Sequence, residues 1–567
     1  MSDVGWTDVT ATTALTARVL SRLGYEPKIT VLSVPVTFAS LRNKDIDVFL
    51  GNWMPAQEAD RRPYLADKSV EVVRANLTGA KYMLATLAPL HAAGLRDFAD
   101  IARFGPQLHN TIYGIEAGND GNRHVLEMIK QNQFGLGGFK LLESSEQGML
   151  AQVERAARDH EPIVFLAWEP HPMNKRFDLR YLTGGDAVFG PNFGGATIYT
   201  VVRRGYREEC PNLGRLLANL SFTLPMENDI MDAILNAHQQ PDVAATAWLD
   251  AHPDALKPWF AGLTTFDGHP VDAGPAQPGS GAEPSFEQRI TTHKIPIGDW
   301  VANGIEYVKR HGTWLFDGVS VLIHGSVDGT TRALRAAPSW LLILSIAALA
   351  FFLRRSWPLA AFVVAALLFI MNQGYWDATI ETLSLVLVAA LLSTLLGVPI
   401  GILAAHHPRF YESLRPVLDL MQTLPTFVYL IPTLVLFGLG VVPGLISTVI
   451  FALPAPIRLT QLGISSVPTP LLEAGEAFGA TRLQLLWKVE LPSAAPTIVA
   501  GITQCIMLSL SMVVIAALVG AGGLGVPVVR ALNSVQVGMG FEAGFAIVLL
   551  AIVLDRITRP REERTRP

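Results

Sequence analysis

The sequence predicts a multidomain protein: an α/β domain over residues 1–265, then an all-α, polytopic membrane domain over 338–567. Three observations predict this. Strand-like runs (KITVLSVP, IDVFLGN, PIVFLAW, TIYTVVRR) alternate with helical ones before residue 265, a length that suits two lobes and a cleft. Apolar stretches long enough to cross or nearly cross a bilayer are confined to 338–557. Residues 266–294, rich in Pro, Gly, Ala and polar side chains, have the composition of a flexible linker. At 567 residues the chain also exceeds what one hydrophobic core usually organises.

Composition excludes several classes. A net charge of -5 gives no electrostatic footprint for nucleic acid. Cys210 falls in the soluble half and Cys505 in an apolar helix, so a disulfide between them is not expected. The phosphate-binding pattern GxxxxGK[ST] is absent. Gly520, Gly522 and Gly525 match the letters GxGxxG, but they follow a membrane helix rather than a strand. Any ATP and Mg therefore belong to another polypeptide, and the chain is expected to carry no cofactor. No spaced His/Cys/Asp set suggests a metal, and no triad or paired acids suggest an enzyme.

In the α/β half the residues that stand out are aromatic and sit where strands are expected to end: Trp6 in GWTD, Trp53 in GNWMP, Tyr82 in AKYML and Trp168 in FLAWEPH. The carboxyl ends of strands are where α/β clefts bind ligands. Ring faces converging there would box a quaternary ammonium, which has no N–H and is read by cation–π attraction worth roughly 0.5–2 kcal/mol per ring. Three or four rings would supply much of the roughly 8 kcal/mol of a micromolar ligand. The alternative is that all four are core aromatics. Asp8 can accept a hydrogen bond from a ligand hydroxyl and balance a cation; its alternative is to cap a helix beginning near Thr10. Tyr113, Glu116 and Asp120 fall near the same cleft with no role assigned, and His171 reads as a loop residue.

The membrane half offers about seven apolar segments, near 338–353, 358–372, 379–405, 416–439, 442–460, 496–518 and 540–556. Arg354, Arg355, Arg409, Arg415, Arg458, Arg482, Lys488 and five arginines from Arg556 to Arg566 fall in alternate loops and at the C-terminus. Positive loops stay in the cytoplasm, which puts the first domain outside and the C-terminus inside; Arg332 and Arg335 count against this. Exterior placement requires export, yet MSDVGWTD has neither a charged nor an apolar leader region, so a leader upstream of this numbering is expected. Pro399, Pro425, Pro432, Pro454 and Pro456 read as helix-interior prolines, which suit packed or cavity-lining helices. Residues 295–337 form an amphipathic segment with Trp300, Tyr307, Trp314 and Phe316, expected to lie in the membrane interface. Finally, LLEAGEAFGATRLQLLWKVELPSAAP (471–496) is a polar interlude between apolar runs. It predicts a helix over 473–478, a break at Gly479, a second helix through Trp487 and a stop at Leu491-Pro492.

That interlude resembles the cytoplasmic coupling loop of ABC importer permeases, and residues 295–557 resemble the permeases of glycine betaine/proline importers. The segments GWTDVTATTA, DVFLGNWMP, AKYMLA, GIEAGNDGN and FLAWEPHPMN resemble those of periplasmic choline-binding proteins, covering nearly all of 1–265. The resemblance implies a type II periplasmic-binding-protein-like fold joined to a type I ABC importer permease in a bacterial inner membrane. It implies Trp6, Trp53, Tyr82 and Trp168 as the cage, with Asp8 and Asn119 as polar partners. It implies that Glu473, Ala474, Gly479, Leu491 and Pro492 mark the loop that seats in a separate ATPase, and that two copies pair through their membrane halves. Choline is the expected cargo because an ionised Asp8 would repel the carboxylate of glycine betaine. A betaine, carnitine or proline betaine importer is the alternative within transport, and a choline-sensing receptor is the alternative outside it.

Overall fold

The computed structural model describes residues 1–271 and 297–559, which form two compact units. The expected linker falls mostly on 272–294, outside the described residues.

The first unit is built on a nine-stranded sheet: β1 (Ser2–Asp3), β2 (Thr30–Val31), β3 (Val48–Met54), β4 (Val70–Leu87), β5 (Thr111–Tyr113), β6 (Lys140–Leu142), β7 (Val164–Glu169), β8 (Leu179–Tyr181) and β9 (Gly195–Arg203). The order is β2-β1-β3-β9-β4-β7-β5-β6, with β8 also on β4. β2-β1-β3 form one parallel group and β7-β5-β6 another. The long strands β4 and β9, antiparallel to their neighbours, join them. β7 is buried along Val164–Trp168 without alternation, as expected of a strand covered on both faces. Phe38, Phe49, Phe98, Phe165, Met83 and Leu84 are completely buried in one core that runs through both groups.

Two strand expectations change. KITVLSVP supplies only the two residues of β2, because Ser33 and Val34 open a helix whose first turn accepts Pro35 without loss of a hydrogen bond. β4 is the longest strand, although its Gly79 and interspersed charges gave it no strand signature; three register shifts against β9 absorb its irregular pattern.

In the second unit all described regular structure is helical. Trp376–His406 packs on Pro454–Ser465, which packs on Leu491–Ser511. Gly397 and Gly401 allow the first contact: a Cβ at Gly397 would fall 2.8 Å from Pro456, and one at Gly401 2.7 Å from the Ile457 carbonyl. This is the small-xxx-small spacing by which membrane helices approach closely. Among the described residues, four helices are long and apolar enough to cross a membrane, or up to six if each of two sharply bent pairs is one span. Trp357–Asn372, with 16 residues, is about 24 Å long and falls short of a typical hydrocarbon core.

Several expectations shift here. Of the five prolines read as interior, Pro399 and Pro432 lie inside helices, and Pro454 and Pro456 fall in the middle of the Val441–Ser465 span, just after Leu453; Pro425 precedes a helix. The amphipathic segment is one helix, Ile297–Ala336, with Trp300, Tyr307 and Trp314 exposed. Its later part is not confined to an interface: Ile323 and Val327 are buried against Val388, Ala389, Val442 and Leu445. Arg335 pairs with Glu381 at 3.0 Å and Asp377 at 3.5 Å, which weakens it as a signal of orientation. Gly522 and Gly525 are packing glycines: their Cβ atoms would lie 2.5 Å from Glu381 and 2.2 Å from the Val513 carbonyl.

Candidate functional site

Trp6, Asp8, Trp53, Tyr82, Ile115, Asp120 and Trp168 line one hollow. The topology explains the convergence. Trp6 and Asp8 follow β1, Trp53 lies near the carboxyl end of β3, Ile115 and Asp120 follow β5, and Trp168 lies near the carboxyl end of β7. Tyr82 is not at a strand end as expected, but inside β4. Because β4 runs antiparallel to β7, Tyr82 pairs directly with Trp168 and reaches the same place from mid-strand.

The rings are both buried and cage-forming, so the two sequence readings do not exclude one another. Trp6, Trp53, Tyr82 and Trp168 are all buried and belong to the core cluster. Tyr82 stands edge-on to Trp53 at 6.1 Å and to Trp168 at 6.4 Å. Hydrogen bonds fix the ring planes. The Trp53 indole N–H donates to Asp8 Oδ2 at 2.9 Å, and that of Trp6 donates to Glu116 Oε1 at 2.9 Å. The Tyr82 hydroxyl donates to Asn119 Oδ1 at 2.7 Å.

Asp8 does not cap its helix. The helix begins at Thr7 with Trp6 at the N-cap and no side-chain cap bond, which places Asp8 in the first turn. Its Oδ1 is buried without a hydrogen-bond partner. Asn119 is not among the residues lining the hollow. It caps the helix Asp120–Lys130, accepting from the Gly121 N–H at 2.8 Å, and holds Tyr82 from behind. Glycine at 121 is needed there, since a Cβ would lie 2.0 Å from the Tyr82 hydroxyl.

Glu116 and Asp120 had no assigned role in the sequence. Glu116 orients Trp6, and Asp120 lines the hollow with an unpartnered Oδ2. Their one signal is that both flank the Asn119 cap in GIEAGND. Tyr113 ends β5 and is not among the lining residues. His171 lies in the loop after β7 but is fully buried.

Burial pushes the Asp8 carboxyl up to about 7, helped by the charge of Glu146. Burial likewise takes Glu116 to about 7 and Asp120 to about 6, Arg123 opposing the latter. A cation in the hollow favours the charged carboxylates and must displace protons. Cation affinity is therefore expected to be full above pH 7 and to fall as pH drops through 7 and 6, measured by calorimetric titration in buffers of different ionisation enthalpy. Without ligand the sign is opposite. Carboxyls whose folded pKa is raised contribute stability near pH 4, and that contribution is lost as pH rises through 6 to 7. The melting temperature of the ligand-free protein should fall over that window.

In the second unit, Glu473 and Ala474 are exposed on the helix Thr469–Ala477, and Gly479 takes φ +77° after it. Thr481 and Gln484 then form a reciprocal cap. The expected stop at Leu491-Pro492 is absent: Arg482–Ser511 runs as one 30-residue helix. A π turn at Leu486–Glu490 precedes Pro492, and its widened backbone accommodates the ring that an α turn would clash with. Phe478, Leu483 and Trp487 are 93%, 67% and 65% exposed.

Residues 1–251 match the family described as substrate binding domain of ABC-type glycine betaine transport system. Residues 397–566 match the family described as binding-protein-dependent transport system inner membrane component. The chain is 47% identical over 266 residues to the glycine betaine transport system permease protein OpuAB of Bacillus subtilis, covering 47% of this chain and 94% of that protein. It is 43% identical over 279 residues to the glycine betaine/proline betaine transport system permease protein ProW of Escherichia coli, covering 48% and 77%. Among solved structures, an ABC-transporter choline binding protein in complex with choline is 60% identical, covering 47% of this chain and 93% of that chain, with a TM-score of 0.47.

Proposed function

Because the chain belongs to the binding-protein-dependent permeases of the glycine betaine type and carries the matching substrate-binding domain, we propose that it is the binding and permease subunit of an ATP-driven importer of quaternary amines, with choline preferred. One observation carries the choice of cargo: Asp8 lines the ring-walled hollow and keeps a buried carboxylate oxygen without a partner. The rings take the methylated ammonium head by cation–π attraction. The free oxygen of Asp8 accepts from the choline hydroxyl and offsets its charge.

Glycine betaine is the second reading, favoured by the names of the permease relatives. Its carboxylate is repelled by an ionised Asp8 but can accept from a protonated one, so its affinity should rise where that of choline falls. The test is calorimetric titration of the full-length protein with both ligands, for wild type and Asp8→Asn. Choline binding should weaken roughly tenfold or more, and betaine binding should hold or improve. Equal losses for both ligands would remove the case for choline.

In this reading the first domain faces outside and captures the cation. Two copies pair through their helical halves in a bacterial inner membrane, and a separate ATPase binds the 473–492 loop of each. Ligand closes the walls of the hollow, and ATP binding in the partner moves the helices. Tethering the binding domain keeps its effective concentration at the permease high, so weak docking suffices.

A further inference from the structure

The hollow's walls come from opposite groups of the sheet, and one buried side chain ties them together. Glu146 opens the helix Glu146–Asp159 after β6, and its side chain is 1% exposed. Its Oε2 accepts from the Thr7 N–H at 2.9 Å, and its Oε1 accepts from the Thr7 hydroxyl. Thr7 lies between Trp6 and Asp8. On the other side, His171 Nε2 lies 3.2 Å from Glu146 Oε1. His171 Nδ1 already accepts from the Met173 N–H at 3.0 Å, so in the neutral ring the hydrogen sits on Nε2 and points to Glu146. The His171 ring in turn packs edge-on to Trp168 at 4.9 Å.

We infer that Glu146 is a positioning residue of the ligand site: by accepting from Thr7 and His171 together, it sets the wall bearing Trp6 and Asp8 against the wall bearing Trp168. A carboxylate withdrawn from water is costly unless donors surround it. Here the donors come from two walls, so the buried charge is satisfied in the closed site only when both walls are in place. Uncharged side chains of similar volume would fill the space without this dependence on closure. Glu146 also acts on the cage electrostatically, since its charge raises the pKa of Asp8. The other groups acting on this cluster are Trp53, which hydrogen-bonds Asp8, Glu227 from the helix Leu224–Leu235, and Asp3 from β1.

The inference rests on the hollow being the quaternary-amine site, and the test separates the two claims. Choline binding to the full-length protein is measured by calorimetry and stopped-flow dissociation between about pH 5.5 and 8.5. The proteins are wild type, Glu146→Gln, Thr7→Val and Thr7→Ser. Glu146→Gln should weaken binding roughly 10- to 100-fold, mainly through faster dissociation. It should also move the pH of half-maximal affinity downward, because Asp8 no longer faces a second charge. Thr7→Val should weaken binding without that shift, and Thr7→Ser, which keeps the hydroxyl, should recover most of the loss. A folded Glu146→Gln protein with wild-type affinity and pH profile overturns the inference. Should Glu146→Gln not fold by circular dichroism, equal affinities for Thr7→Val and Thr7→Ser overturn it. A wild-type protein that binds no quaternary amine overturns the reading of the hollow itself, which is a different result.

Discussion

Replacing Trp53 and Trp168 together with leucine should cut choline affinity of the full-length protein roughly 10- to 1,000-fold, while phenylalanine at both positions should keep most of it. Leucine fills much of the space but presents no electron-rich face, so the pair of variants separates cation–π attraction from simple burial. Alanine is the wrong choice, because truncating a buried tryptophan costs about 3–5 kcal/mol of a stability that is itself about 5–15 kcal/mol. Both rings are more than nine-tenths buried, so thermal unfolding must accompany the binding measurement. Trp53→Phe has a second effect: it removes the indole N–H that lowers the pKa of Asp8, so its binding should begin to fail at a higher pH than in wild type. Leucine variants that bind as tightly as wild type would exclude the cage as the source of affinity.

Phe478→Asp combined with Trp487→Asp should abolish choline uptake into cells or proteoliposomes, a loss of at least about tenfold, and leave choline binding intact. Both side chains are more than three-fifths exposed and apolar, so charging them costs the fold little. Retained uptake would mean that this loop does not couple to an ATPase. Loss of binding together with uptake would mean that the substitutions damaged the fold rather than the coupling.

How far the molecule could be read from its sequence depends on whether a residue's role leaves a local mark. Trp53 and Trp168 were readable because each follows a β-rich run and precedes proline, which marks both the strand and its end. Tyr82 was readable as facing the cleft but not as part of a long strand, because β4 owes its extended form to β7 and β9 on either side rather than to its own alternation. Asn119 was read as a polar partner at the site; that it caps a helix and accepts from the Tyr82 hydroxyl requires knowing where Tyr82 comes from. Glu116 and Asp120 were placed near the cleft without a role, and Glu146 left no mark at all. In sequence a buried carboxylate looks like an exposed one, and only the fold shows that it faces an indole, the wall of a hollow or a threonine 139 residues away.

In the helical unit the polar loop was readable from composition, and its continuation past Pro492 was not. Proline preceded by ordinary helix formers predicts a break, and nothing in Leu486–Glu490 announces the turn of different pitch that prevents one.

That unbroken run has a mechanical consequence. From Arg482 to Ser511 the backbone is a single strut of about 45 Å, reaching from a charged tip deep into apolar surroundings. Force applied at the tip is transmitted along the axis rather than lost in a joint, and the strut yields most easily around its prolines, at the loosened coil beside Pro492 and at Pro496.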